Sequence, residues 1–235
     1  MRITHLFAAV LLMLAVPATA STPREIQSLR DTAYQAATQM IMYAILEKAG
    51  ERRMKANTAI AAIDAGLPAL NDAALNQRWQ TVRATLSHEP YQNGEINQLA
   101  LYAIEDNTTE FAHLLDQRMP RDIDRQQKAL YELTSQMQMM MTIYLRNSAD
   151  PLGGSNYSGI NRDQDLVKLA ADFSGKLDVL TRTKSTIQPK MLKLRAKWSF
   201  LAPRFSNFNQ QSVPFVVDLY GRQIITALLD AAATP

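Results

Sequence analysis

Residues 28–45 read SLRDTAYQAATQMIMYAI, and residues 130–145 read LYELTSQMQMMMTIYL. In both stretches the apolar side chains recur at spacings of three and four residues, which is the period of one face of an α-helix. The first stretch fills that face largely with alanine, so a neighbouring helix can approach it closely. The second forms a heptad-like seam through Met137, Met140 and Tyr144. Each stretch stands near the start of one half of the chain, and the two predict how the fold is organised.

The first twenty residues have the features of a secretory signal peptide. Arg2 and His5 form a short basic start, residues 6–16 are apolar, and Ala18 and Ala20 provide an A-x-A cleavage site. The apolar run is too short to span a bilayer. We therefore expect cleavage after Ala20 and a periplasmic location. The chain contains no cysteine, which excludes disulfides and thiolate metal sites.

The remaining sequence predicts an all-α fold with eight main helices. Only 8 Gly and 10 Pro occur among the 235 residues, so long helices meet few breakers. Thr22, Pro23 and Glu25 form a start signal for the first helix, with a capping hydroxyl, proline at the first helical position and glutamate at the third. Trp79 and Trp198, the two tryptophans, are expected in the core.

The two halves also resemble each other. Trp79 and Trp198 lie 119 residues apart. The first helices pair at an offset of about 101 residues, which matches Tyr43 with Tyr144, and an offset of 100 fits their apolar faces nearly as well. Pro120 interrupts the helical pattern and can begin a new helix. The sequence thus predicts an internal duplication giving two tandem up-down four-helix bundles, at residues 21–119 and 120–235.

The charge distribution differs between the halves. Residues 21–119 carry 9 Lys and Arg against 12 Asp and Glu, whereas residues 120–235 carry 15 against 10. Nucleic acid is an improbable partner for an exported protein, so an acidic protein, lipid headgroups or a small anion suit the basic half better. A basic helix face that is simply solvated explains the same pattern.

No set of residues predicts catalysis, and we expect neither an enzyme nor a cofactor. His88 and His113 are the two histidines outside the signal peptide, and neither belongs to a metal-ligand spacing motif. The methionines Met137, Met140 and Met141 share one helix face. Thioethers suit Cu(I), so a periplasmic copper-binding protein is one alternative, but methionine also fills irregular cores and we predict no metal site.

A short motif in the first helix carries a family resemblance. Residues 27–35 read QSLRDTAYQ, and Ser28, Leu29, Arg30 and Tyr34 match the pattern Gly-Ser-Leu-Arg-Met-x-Ser-Tyr-Arg. With a tryptophan on the third helix, this resembles the periplasmic four-helix sensory domain of nitrate/nitrite sensor kinases and type IV pilus chemotaxis transducers. The chain departs from the pattern at Gln27 and Gln35, which replace its glycine and second arginine, and Asp31 adds a carboxylate.

The resemblance implies a bundle that binds a small anion where the first helices of two subunits meet. Carried over residue by residue, it implies a ligand site of Arg30, Tyr34 and Ser28, completed in a homodimer. We therefore predict a soluble periplasmic sensory-type binding or interaction module that recognises a small ligand or a membrane-bound sensor or receptor protein. Besides the copper-binding protein, a structural envelope accessory protein without a small ligand is the other alternative.

Overall fold

A computed structural model describes residues 22–46, 48–149, 162–206 and 212–234, with side chains of the third range from residue 166 onward. The predicted signal peptide lies outside the described residues, as does most of the stretch 147–161, whose glycines and proline predict a loop.

The described residues form eight α-helices, which confirms the all-α prediction. A short 3₁₀ segment, Leu67–Leu70, follows the second helix, and a two-residue hairpin of β1 (Tyr91–Gln92) and β2 (Glu95–Ile96) precedes the fourth. The helices are α1 Pro23–Ile45, α2 Gly50–Gly66, α3 Ala73–Ser87, α4 Gln98–Asp116, α5 Arg125–Ser148, α6 Arg162–Arg182, α7 Gln188–Ser206 and α8 Pro214–Ala232. No helix in the described part of the chain is long and apolar enough to cross a bilayer.

Side chains cap several helix starts, as the sequence indicates. Thr22 and Glu25 form the predicted capping box of α1. Asp72 accepts a hydrogen bond from the Leu75 amide at the start of α3, and Asp124 does the same for Gln127 at the start of α5. Each cap satisfies a backbone N–H that has no partner within its helix.

Two predicted helix starts differ from the structure. The sequence pattern predicts a fourth helix from about Glu95, but the helix begins at Gln98, because the preceding residues form the hairpin, which the pattern does not predict. Asn93 and Gly94 at its tip have φ values of 54° and 87°, a left-handed pair typical of a tight hairpin turn. The fifth helix begins at Arg125, capped by Asp124, and not at Pro120.

The first helices of the two halves pack against each other. Helix α1 contacts α2 and α4 in the first half, α5 contacts α6 and α8 in the second, and α1 and α5 are in direct contact. The apolar core runs through this contact without interruption. Gly221 lets α8 approach α5 closely, because a Cβ at this position would overlap the Met141 side chain. The division into domains at residues 119 and 120 therefore stays a prediction.

The two tryptophans lie in the core, as predicted. Trp79 on α3 is 1% exposed and Trp198 on α7 is 3% exposed. Their indole nitrogens donate to the preceding long helix of the same half: Trp79 to Asp64 on α2 at 2.7 Å, and Trp198 to Ser174 on α6 at 2.8 Å. This shared environment supports the predicted duplication, which itself stays a prediction.

Candidate functional site

The contact between α1 and α5 contains many polar side chains. Both helices are buried along most of their length. Polar side chains cost free energy when buried unless they find hydrogen-bond partners. The partners of these side chains therefore indicate which of them have a purely structural role. The buried polar residues of the two helices are Gln27, Arg30, Thr38, Gln39, Thr134, Gln136, Gln138, Thr142, Arg146 and Asn147.

Arg30 is buried at this contact and bound to other protein groups. Its Nη1 pairs with the carboxylate of Asp116 at the end of α4. Its Nη2 donates to the side-chain oxygen of Gln27 and, at 3.0 Å, to the backbone oxygen of Tyr131 on α5. Tyr131 is the counterpart of Arg30 at the offset of 101 residues. Burial lowers the pKa of Arg30.

Asp31, the next residue, is held in a different way. Its Oδ1 accepts hydrogen bonds from the side-chain amides of Gln27, at 2.6 Å, and Gln138 of α5, at 2.7 Å. Its Oδ2 accepts no hydrogen bond from the described residues. The carboxylate therefore links α1 to α5 through one oxygen and leaves the other available.

Burial changes the acidity of Asp31. Removal from water is the largest effect and raises the pKa of Asp31 to about 6, although the Gln138 amide, the Arg30 charge and the Gln27 amide act in the opposite direction. A carboxylate that titrates near neutral pH beside a cavity is a candidate functional group.

Two neighbouring cavities meet at Asp31. The larger, about 820 Å³, lies among the N-terminal turns of α1 and α5 and the C-terminal end of α8, and we call it the N-terminal cleft. The smaller, about 270 Å³, continues along α1 between α5 and α8, and we call it the Asp31 cavity. Both are lined by Asp31 and by Leu229 of α8. Together they form a polar groove on the α8 side of the α1–α5 pair.

The Asp31 cavity has polar and apolar walls. Gln138 is 4% exposed, and its Oε1 has no hydrogen-bond partner, whereas its Nε2 donates to Asp31. Met141, Ile225 and Leu229 supply apolar surface. Arg222 stands at the other end, where it donates to Asp218 and Thr38. A small ligand with one polar end and an apolar body matches these walls.

In the described part of the chain, the three predicted ligand residues line three different cavities. Ser28 is exposed and lines the N-terminal cleft, whereas Tyr34 is buried and lines the Asp31 cavity. Burial raises the pKa of Tyr34 to about 12, and its side chain is hydrogen-bonded to Thr109 of α4. Arg30 lines a third cavity, of about 410 Å³, on the opposite side of the α1–α5 pair together with Asp116. Their role in ligand binding stays a prediction.

Among the described residues, two further ion pairs connect the halves, one at Asp218 and one at Glu105. Arg52 of α2 and Arg222 of α8 both donate to the buried Asp218 carboxylate, at 2.8 and 2.6 Å. At the other end of the α1–α5 pair, Arg146 of α5 donates from Nε to Glu105 of α4 at 2.6 Å. These contacts hold α2 against α8 and α4 against α5, so the groove lies between helices that are fixed on both sides.

The methionine face belongs to the core. Met137 and Met140 are fully buried and Met141 nearly so, which fits the packing interpretation of the cluster. Among the described residues no group of three or more His, Cys, Asp or Glu is arranged to hold a metal ion. His88 and His113 are both exposed.

Sequence reasoning missed the two central residues of the groove. Asp31 was treated only as a departure from the family pattern that adds a carboxylate, and Gln138 was not singled out. The available signal was an aspartate and a glutamine on the buried faces of two helices predicted to contain mainly apolar residues. Their proximity could not be derived, because they lie 107 residues apart.

No family model, curated protein or solved structure matches this chain.

Proposed function

We propose that this chain is a periplasmic sensory-type binding module whose ligand site is the groove between α1, α5 and α8. The proposal includes an internal duplication, in which α1 and α5 are the first helices of two tandem helical halves within one chain. In the sensory family that the α1 motif resembles, the first helices of two subunits meet at the ligand. The direct contact of α1 with α5, and of Arg30 with its counterpart Tyr131, supports this comparison.

The observation that carries the proposal is the state of Asp31. A residue with a purely structural role would gain from full pairing, yet this carboxylate is desolvated, has a pKa raised to about 6 and keeps one oxygen without a hydrogen bond from the described residues. Maintaining such a group costs stability, and functional residues commonly carry a cost of this kind. The groove beside it has room for a small molecule.

A screen of small molecules tests the site. Thermal unfolding of residues 21–235 should shift upward with compounds that bind the folded state, because binding stabilises that state by mass action. For each hit we expect Asp31→Asn to remove the shift. Asp122→Asn, at an exposed position away from both cavities, should retain it. Hits whose binding survives Asp31→Asn would place the ligand site elsewhere in the molecule.

The surface of α7 and α8 favours a second candidate function, docking onto a membrane-bound signalling partner. Helix α7 contains five basic and no acidic residues. Large apolar side chains are exposed on both helices: Phe200 of α7 is 48% exposed, and Phe215 and Leu219 of α8 are 57% and 48% exposed. Phe200 packs on Tyr220 of α8 with ring centroids 4.7 Å apart. An exposed aromatic patch beside basic side chains suits an acidic protein surface.

Photo-crosslinking in whole cells tests this second function. A photoreactive side chain at Phe200 should give an adduct in the membrane fraction, and charge reversal at Lys193 and Lys197 should reduce its yield. The same group at Met54, an exposed apolar position on α2, serves as the matched control and should give none. Equal adducts from both positions would show that the contact is non-specific.

A further inference from the structure

The groove presents acceptors to a ligand where a bound anion would need donors. Asp31 offers Oδ2 and Gln138 offers Oε1, and each lacks a hydrogen-bond partner among the described residues. Gln138 is almost completely buried, so its free acceptor is costly unless a ligand or water donates to it. The amide nitrogen of Gln138 is already used by Asp31, which fixes the direction of its oxygen.

Two arginines close to Asp31 and Gln138 already donate to protein groups. The guanidinium of Arg30 points to Asp116, Gln27 and Tyr131 on the other side of the helix pair. Arg222 donates from Nε to Asp218 and from Nη2 to Thr38. A nitrate or carboxylate ligand would therefore meet a carboxylate and an amide oxygen at the centre of the groove, and like charges repel.

We propose that the groove binds a small primary amine, with its ammonium group donating to the Asp31 carboxylate and to Gln138 Oε1. This inference rests on the proposed function and assigns its ligand class. An ammonium has three donors and can satisfy both acceptors at once. The apolar side chains Met141, Ile225 and Leu229 then enclose a short alkyl body.

The N-terminal cleft adds to the negative character of this site. Besides Asp31, the described residues that line it include the carboxylates of Asp124 and Asp230 and one cationic side chain, Arg24. A cleft with an excess of one charge raises the local concentration of ligands of the opposite charge. A cationic amine is thus favoured at the entrance as well as at Asp31.

Three probes of similar size separate the ligand classes. Uniformly ¹⁵N-labelled protein is titrated at pH 7.5 with n-butylamine, butyrate or 1-butanol, and amide shifts are followed by NMR. We expect n-butylamine to shift the side-chain amides of Gln138 and Gln27, and the two other probes to leave them unchanged. Asp31→Asn should weaken the amine at least about tenfold, since a charge-assisted hydrogen bond is lost.

Gln138→Met provides a second variant. It keeps a side chain of similar volume and removes both the free acceptor Oε1 and the amide that donates to Asp31. It should also weaken n-butylamine, whereas Asp122→Asn should not. If butyrate or 1-butanol shifts the groove amides as strongly as the amine, the groove binds ligands but the amine assignment is wrong. If no probe shifts them, the amine assignment is wrong too, and the screen with Asp31→Asn then decides separately whether the groove binds anything else.

Discussion

Replacing Glu105 by glutamine is expected to lower the free energy of unfolding by about 3–5 kcal/mol, the range for breaking a buried ion pair. Arg146 and Glu105 expose only 1% and 6% of their side chains, and the carboxylate accepts from Arg146 Nε at 2.6 Å. Nη1 and Nη2 of Arg146 have no hydrogen-bond partner in the described part of the chain. Without the carboxylate, a buried guanidinium would keep its charge and lose its counter-ion.

The packing around the pair predicts how the loss can be reversed. The guanidinium carbon of Arg146 lies 4.3 Å from the centre of the Tyr102 ring, so the site is already partly apolar. The double variant Arg146→Met with Glu105→Leu should recover most of the stability, because replacing both partners by apolar groups of similar volume is often neutral.

Urea unfolding of the wild type, Glu105→Gln and the double variant measures these differences in the free energy of unfolding. Glu51→Gln breaks the exposed pair of Glu51 with Lys55 and serves as the control, which should leave the free energy of unfolding almost unchanged because exposed ion pairs contribute little. A cost below about 1 kcal/mol for Glu105→Gln would contradict the view that this pair locks α4 to α5.

Replacing Asp31 by asparagine is expected to stabilise the protein at pH 7.5 by about 2–3 kcal/mol. Burial raises the pKa of Asp31 to about 6 in the folded state, whereas an aspartate in an unfolded chain titrates near about 3.9. A difference of about two between these pKa values corresponds to about 3 kcal/mol. Asparagine keeps an oxygen that can accept from Gln27 and Gln138 and carries no charge to desolvate.

The pH dependence of stability expected from Asp31 is opposite to that of an ion-paired aspartate, whose pKa is lowered in the folded state. Between about pH 4 and pH 6 the folded protein holds a proton on Asp31 that the unfolded chain has released. The stability of the wild type should therefore fall as pH rises through this window and stay lower above it. Below about pH 4 the carboxyl is protonated in both states, and Asp31→Asn should have little effect.

Urea unfolding of wild type and Asp31→Asn at pH 4 and pH 7.5 checks this prediction. Asp122→Asn serves as the control. Its stability relative to the wild type should be the same at both pH values, because a general effect of pH acts on both proteins alike. Equal stability of wild type and Asp31→Asn at both pH values would show that Asp31 is not desolvated in the folded protein. Combined with loss of ligand binding, a stabilised Asp31→Asn variant would identify Asp31 as a residue kept for function at the expense of stability.

Local features of the fold could be read from the sequence because their causes are local. The capping box of Thr22 and Glu25 and the cap at Asp72 depend on residues three positions apart. Burial of Trp79 follows from its place in the apolar face of α3, one turn from Leu75 and Val82. The hairpin before α4 was missed, since two paired residues per strand give too short a pattern to recognise.

The candidate site depends on contacts between residues distant in the chain. Arg30 was predicted to face a ligand, and its partner Asp116 lies 86 residues further on. The sequence motif predicted a site around Arg30, whereas the proposed groove is centred on the next residue, Asp31, which accepts a hydrogen bond from Gln138. Periodicity gives the buried face of a helix and does not give its neighbour on that face.

The sequence by itself determined the eight helices, the start of the first and the placement of both tryptophans in the core, because capping and hydrophobic periodicity act within a few residues. Only the tertiary structure decided that α1 packs on α5, that Arg30 pairs with Asp116 and that Asp31 lies beside two cavities. Those features arise from packing, where desolvation and hydrogen bonding between distant segments set the properties of each polar group.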